Sequence, residues 1–246
     1  MAKNSQRSIY VDTNKLKKKE AFVCWIDIMG TKTIMSESFE KAANIILRFH
    51  SASLQATSSM TGVKVYPLMD GIFITGEKAR VIKNAIDNIF LKMASIFIEE
   101  DKCDHQFVIR ASIAYGELAH GFDVNNEVCR DIADNDTYKN ALLFGMPMIQ
   151  AYMAERNAPP FGVYIHESAR KVNVLQGRYY LWKGIESQKE ELKTKLLSYF
   201  KWCRYFSQYL EMDTSRIAFY EELVKEYFSN RNIKSNELQT LFNHEN

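Results

Sequence analysis

Six consecutive apolar residues, Ala21-Phe22-Val23-Cys24-Trp25-Ile26, run into an aspartate, Asp27, and then a glycine turn at Gly30. A short apolar run closed by a turn signal fits a buried strand, and this one predicts the first central strand of a sheet. A central strand needs partners on both edges and a core to cover it. With 246 residues, 46% hydrophobic and 25% charged, the chain is long and apolar enough for one sizeable core.

The rest of the pattern supplies those partners. Apolar residues fall at helical spacing over 37–57 (Ala42, Ile45, Ile46, Phe49) and 78–99 (Ile82, Ala85, Ile86, Ile89, Phe90). Between them, Val63–Leu68 and Ile72–Thr75 flank Met69-Asp70-Gly71, where the Asp-Gly pair predicts a tight hairpin turn. Residues 107–115 alternate like a strand ended by Gly116, and the Asp- and Asn-rich stretch 122–138 reads as a surface loop. A helix is predicted from Ala141 to Arg156, stopped by Asn157 and Pro159-Pro160, followed by strands at Gly162–Ile165 and Tyr179–Trp182. From Glu186 the pattern is helical, with Leu192, Leu196, Phe200 and Cys203 on one face and further helices near 214–228 and 234–243. The expected organisation is a polar arm (1–20), a core domain (21–185) and a helical C-terminal extension (186–246). The order strand, helix, hairpin, helix, strand, helix, strand predicts an α+β, ferredoxin-like fold: a mixed or antiparallel sheet with helices on one face.

Several function classes are excluded or disfavoured. The net charge of +2 is too small and dispersed for a nucleic-acid surface, and the basic run at 14–20 reads as a solvated arm. Cys24, Cys103, Cys129 and Cys203 form no C-x-x-C pair, so reduced thiols and a cytoplasmic location are expected. No apolar run approaches the roughly 18 residues that cross a bilayer, so no membrane span is expected. The five histidines lack ligand spacing and are assigned no catalytic role. Tail aromatics such as Tyr199, Phe200, Tyr205, Phe206 and Tyr209 lie at helical spacings, which suits core or dimer packing.

The chemistry rests on two carboxylates. Asp27 closes the first strand and Asp70 sits in the turn of a hairpin expected beside it, so both can project from one sheet edge toward a shared Mg²⁺ or Mn²⁺. Ile28–Thr33 between them leads through Gly30 to a helix start, where unpaired N–H groups can meet a polyphosphate. The G-x-x-x-x-G-K-[ST] pattern is absent, which excludes a Walker-type site.

At these residues the chain resembles class III adenylate and guanylate cyclases. F-V-C-W-I-D-I-M-G-T-K (22–32) is similar to their metal-binding D-I-x-G-F-T stretch, departing at Thr31 and Lys32, and Met69-Asp70-Gly71 to their second metal aspartate. Arg110–Gly116 resembles their R-x-G-I-H-x-G strand, and Phe144–Glu155 their G-x-x-V-N-x-A-x-R helix. The resemblance implies a class III catalytic fold and two divalent metal ions, Mn²⁺ or Mg²⁺, on Asp27, Asp70 and the Ile28 carbonyl. It also implies attack of a 3′-hydroxyl on the α-phosphorus of a nucleoside triphosphate. Substrate contacts would come from Gly30, Thr31, Tyr66, Arg110 and Lys183, in a homodimer with composite sites.

The departures shift the expectation. The family's purine-reading Lys and Asp fall on Tyr66 and Leu142, a pattern similar to the Pycsar cyclases of bacterial anti-phage defence. That resemblance implies a pyrimidine substrate, UTP ahead of CTP, and a separate effector that responds to the cyclic nucleotide. Tyr66 is equally readable as a half-buried strand residue. The family's transition-state Asn and Arg fall on Ile149 and Met153, which donate nothing to a pentavalent phosphate. Arg110 is then a candidate for that charge or a partner for a nearby acid, and Lys183-Gly184 a phosphate contact or a solvated turn. A cyclase-like nucleotide sensor without turnover, or a purine cyclase with unusual base contacts, are the alternatives.

Overall fold

The computed structural model describes residues 11–172, 175–208, 210 and 213–229; the expected helix at 234–243 lies outside them. The apolar run forms strand β1 (Lys19–Ile28), followed by α1 (Thr31–Glu37), α2 (Phe39–Thr57), the hairpin β2 (Lys64–Leu68) and β3 (Gly71–Gly76), and α3 (Ala79–Glu99). Then come β4 (Ile109–His120), α4 (Asn126–Ala133), α5 (Asp136–Ala141), β5 (Leu143–Phe144), α6 (Met146–Ala154), β6 (Val163–Ile165), α7 (Glu167–Arg170) and β7 (Tyr179–Tyr180). Helices α8 (Ile185–Tyr205) and α9 (Thr214–Phe228) complete the described chain.

The sheet has the order β2-β3-β1-β4-β6-β7, with β5 on the far part of β4; only β4 and β6 run parallel. Strand β1 is therefore central, antiparallel to β3 on one edge and to β4 on the other. Its alternation divides the core. Phe22, Cys24, Ile26 and Ile28 join a large cluster with α2, α3 and α8, while Ala21, Val23 and Trp25 join a smaller one with Tyr66, Phe73, Ala114, Leu118 and Ala151. The second cluster corrects the expectation of helices on one face: α6 covers part of the opposite face through Ala151.

Other corrections trace to caps and turns. The helix expected over 37–57 is α2, and a short helix, α1, precedes it; Ser38 separates the two, its hydroxyl capping α2 by accepting from the Lys41 N–H at 3.2 Å. The stretch expected as a loop at 122–138 folds into α4 and α5, because Asn125 and Asn135 act as N-caps, each accepting from backbone N–H groups of the following turn. Helix α6 starts at 146 rather than 141. Gly145 ahead of it has φ of 152° and packs so closely on β4 that an added Cβ would stand 2.5 Å from the Glu117 carbonyl oxygen. The basic run is partly fixed: Lys18 reaches Glu117 at 3.4 Å and Lys19, already in β1, reaches Glu77 at 2.8 Å.

The two C-terminal helices share the main core. Leu192, Leu196 and Phe200 of α8, and Ile217 and Val224 of α9, pack in the same cluster as Ile86, Phe90 and Phe97 of α3. Among the described residues no helix is long and apolar enough to cross a membrane. Because Gly145 has neither room nor backbone freedom for a side chain, Gly145→Ala should lower stability by about 2 kcal/mol, read as a reduced urea midpoint at unchanged slope. An unchanged midpoint would show that the start of α6 is not fixed by this contact.

Candidate active site

Register brings the two aspartates together. Asp27 lies opposite Gly71 of β3 and Arg110 of β4, and Asp70 immediately precedes Gly71 in the turn. The turn is built for close approach: Met69 has a left-handed φ of 52°, and His50 Nε2 stands 2.9 Å from the Met69 carbonyl oxygen. Trp25, two residues before Asp27, lies over Gly71, where an added Cβ would meet its ring at 2.3 Å. The indole is held by Phe73 and Tyr152, with ring centroids 4.4 and 5.6 Å away. Only glycine fits beneath it, so the hairpin carrying Asp70 is drawn against the strand carrying Asp27.

A third carboxylate stands beside them. Glu155, 6% exposed in the single turn after α6, forms an ion pair with the Arg110 side chain. Burial, then the charges of Glu155 and Asp70, push the Asp27 carboxyl up to about 7, against the pull of Arg110. Glu155 is raised too, by burial and by Asp70, with Arg110 opposing. Sequence reasoning missed Glu155, which reads as an ordinary acid at a helix end. The available signal was Arg110, an arginine inside a strand that needs a buried partner.

Three carboxylates against one guanidinium leave the site short of positive charge, and a divalent cation suits that deficit. Among the described residues no three His, Cys, Asp or Glu side chains are spaced as a complete metal cage. The fit is to ions held by Asp27 and Asp70, with remaining positions left to carbonyl, water or phosphate oxygens. The Ile28 carbonyl accepts from the Thr31 hydroxyl at 3.1 Å and keeps a second lone pair. Gly30, at φ 80°, caps α1; its carbonyl accepts from the Thr33 and Ile34 N–H groups at 3.1 and 3.2 Å, and the N–H groups of Thr31 and Lys32 have no intrahelical acceptor.

The remaining expected contacts are dispersed. Tyr66 is buried in the smaller core cluster, and its hydroxyl meets His120 Nδ1 at 2.6 Å, with the rings stacked at 16°. Burial pushes the phenol up to about 12 and His120 down to about 4, so both are neutral at pH 7. Lys183 follows β7 at the sheet edge opposite the hairpin, its N–H donating to Asp87 at 2.8 Å, and so is not brought to Asp27 of its own chain. Ile149 and Met153 are exposed on α6. Leu142 caps α5, its carbonyl accepting from the Gly121 N–H at 2.8 Å.

Comparison with solved structures defines the fold. A bacterial light-regulated adenylyl cyclase superposes with a TM-score of 0.52 over 74% of this chain and 99% of its own, at 12% identity. The guanylyl cyclase domain of the RhoGC fusion protein from the aquatic fungus Blastocladiella emersonii gives 0.48 over 63% and 84%, at 15% identity. No protein-family model matches the sequence, and no curated protein matches it either. The chain has the class III cyclase catalytic fold, an α+β sheet with packed helices.

Because the folded-state pKa of Asp27 lies above its unfolded value, the native state holds the extra proton between about pH 4 and 7. Metal-free protein should therefore lose stability as pH rises through that window. Asp27→Asn removes the ionisation, so the variant should exceed the parent by on the order of 2 kcal/mol at pH 8 in chelator and match it near pH 3.5. Denaturant unfolding at the two pH values checks this; a difference independent of pH would show that Asp27 is not crowded by its neighbours.

Proposed function

We propose that this chain is a metal-dependent nucleotide cyclase acting on a pyrimidine nucleoside triphosphate, with UTP favoured over CTP. The observation that carries the cyclase reading is the pair Asp27 and Asp70, held together at the end of the central strand β1 in a charge-deficient site on a class III cyclase fold. Divalent cations bound there would lower the pKa of the 3′-hydroxyl and neutralise phosphate charge. Asp27 and Asp70 would hold them, and the N–H groups of Thr31 and Lys32, where Gly30 turns the chain into α1, would meet the phosphates. Arg110, oriented by Glu155, adds fixed positive charge beside Asp27. The 3′-oxygen attacks the α-phosphorus, its proton leaves to solvent, and pyrophosphate departs.

The pyrimidine reading rests on Tyr66 and Leu142, which occupy the positions where class III purine cyclases resemble one another in using Lys and Asp. Tyr66 and His120 form a buried, neutral pair that supplies no charged base contact. Comparison proteins described as adenylyl and guanylyl cyclases make a purine substrate the competing outcome. A homodimer would bring Lys183 of a second copy to the site, and the product would act as a second messenger in anti-phage defence through a separate effector. A non-catalytic nucleotide sensor is the second reading, favoured by the exposed apolar pair Ile149 and Met153 where donors would be needed.

Incubation with each of the four ribonucleoside triphosphates and Mn²⁺, with products separated by chromatography, is expected to yield cyclic UMP first and cyclic CMP second. Asp70→Ala should lower that yield at least about a hundredfold. Cyclic AMP or cyclic GMP as the main product would overturn the pyrimidine assignment, and no cyclic product from any triphosphate would leave the sensor reading.

A further inference from the structure

Packing brings the β2–β3 hairpin to β1, and the turn itself sets how Asp70 is presented. Leu68 and Gly71 pair across the hairpin, so the loop between them is two residues, Met69 and Asp70. The first of the two carries a positive φ of 52°, a region that favours glycine at this position of a two-residue turn. A methionine held there is strained, and such a conformation persists where the surroundings impose it. The Met69 side chain is 77% exposed and contributes little of that hold. The restraint falls instead on its carbonyl oxygen, 2.9 Å from His50 Nε2. A carbonyl oxygen only accepts, so His50 carries a proton on Nε2 and donates it to this bond. The imidazole is aimed from α2, where the buried ring of Phe49 meets it edge-on at a centroid distance of 5.3 Å.

The Met69 carbonyl and the Asp70 N–H belong to one planar peptide unit, so fixing the direction of the oxygen fixes the plane from which the Asp70 Cα departs. We propose that His50 is a positioning residue for the metal site: by holding the Met69 carbonyl it sets the direction in which Asp70 presents its carboxylate to the cation shared with Asp27. The inference rests on the metal reading given above and adds to it a residue that acts through the backbone of the turn and not as a ligand. Without this hydrogen bond the turn relaxes from its strained φ, and Asp70 has to be reordered when metal binds. Removing an outer partner of this kind typically weakens metal binding roughly 10- to 100-fold.

Mn²⁺ titrated into the full chain without nucleotide, and followed by the electron paramagnetic resonance signal of the free ion, tests this without turnover. His50→Phe keeps an aromatic ring beside Phe49 and removes the donor; it should raise the Mn²⁺ dissociation constant about tenfold or more. His50→Gln, whose amide can donate, should restore most of the lost affinity. His50→Ala, at a half-buried helical position that suits alanine, should match His50→Phe and stands in for it if the larger ring is not accommodated. Asp70→Ala is the reference and should weaken Mn²⁺ at least as much as any of them. Parental Mn²⁺ affinity in His50→Phe and His50→Ala, even with a lowered urea midpoint, would show that His50 only stabilises the fold. An equal loss in His50→Gln would show that the donor is not what matters. Either result, with Asp70→Ala weakened, overturns the role of His50 and leaves the metal site standing. Unchanged affinity in Asp70→Ala overturns the metal site and this inference with it.

Discussion

Everything described above is referred to strand β1, which is hydrogen-bonded along both edges and buried on both faces. A strand in that position cannot shift by one residue without exchanging its two sets of side chains, sending Phe22, Cys24 and Ile26 to the α6 side and Val23 and Trp25 into the main core. Its register is consequently set by many independent contacts, and Asp27 inherits that definition as the penultimate residue of the strand. Trp25 extends the control to the hairpin, because the indole lies where any side chain at position 71 would have to be. Two acids far apart in sequence are thereby placed by packing alone, before any ligand contributes.

The legible parts of the fold are those where a single periodicity runs without interruption. The apolar run of β1, the Asp-Gly hairpin, the 3.6-residue repeat of α3 and the helices α8 and α9 all follow from local chemistry, and their observed limits lie within a few residues of expectation. The failures share a cause. Asn125 and Asn135 are polar residues whose side chains cap helices, and composition alone presents such residues as loop. Gly145 sets the late start of α6 through a contact with β4, 28 positions from Glu117 in sequence, which no local pattern carries.

The site divides in the same way. The nearness of Asp27 and Asp70 is readable because one lies at the end of β1 and the other in the turn of the hairpin beside it. Glu155 is not, since its role depends on the chain turning after α6 to meet Arg110 across the sheet. That pairing changes the meaning of the arginine: its charge is already partly committed, and the net balance around Asp27 stays negative. Tyr66 is one half of a buried hydrogen-bonded pair with His120, a partner that no local pattern names.

The separation between Tyr66 and Asp27 has its own consequence. The acids depend on the central strand, whereas Tyr66 lies on β2, the outermost strand of that side, and rests on His120, the last residue of β4. Changes in an edge strand disturb few neighbours, while changes in a central one disturb nearly all of them. The architecture thus holds Asp27 and Asp70 by the whole of the core, while Tyr66 is held by the smaller cluster that it shares with Trp25.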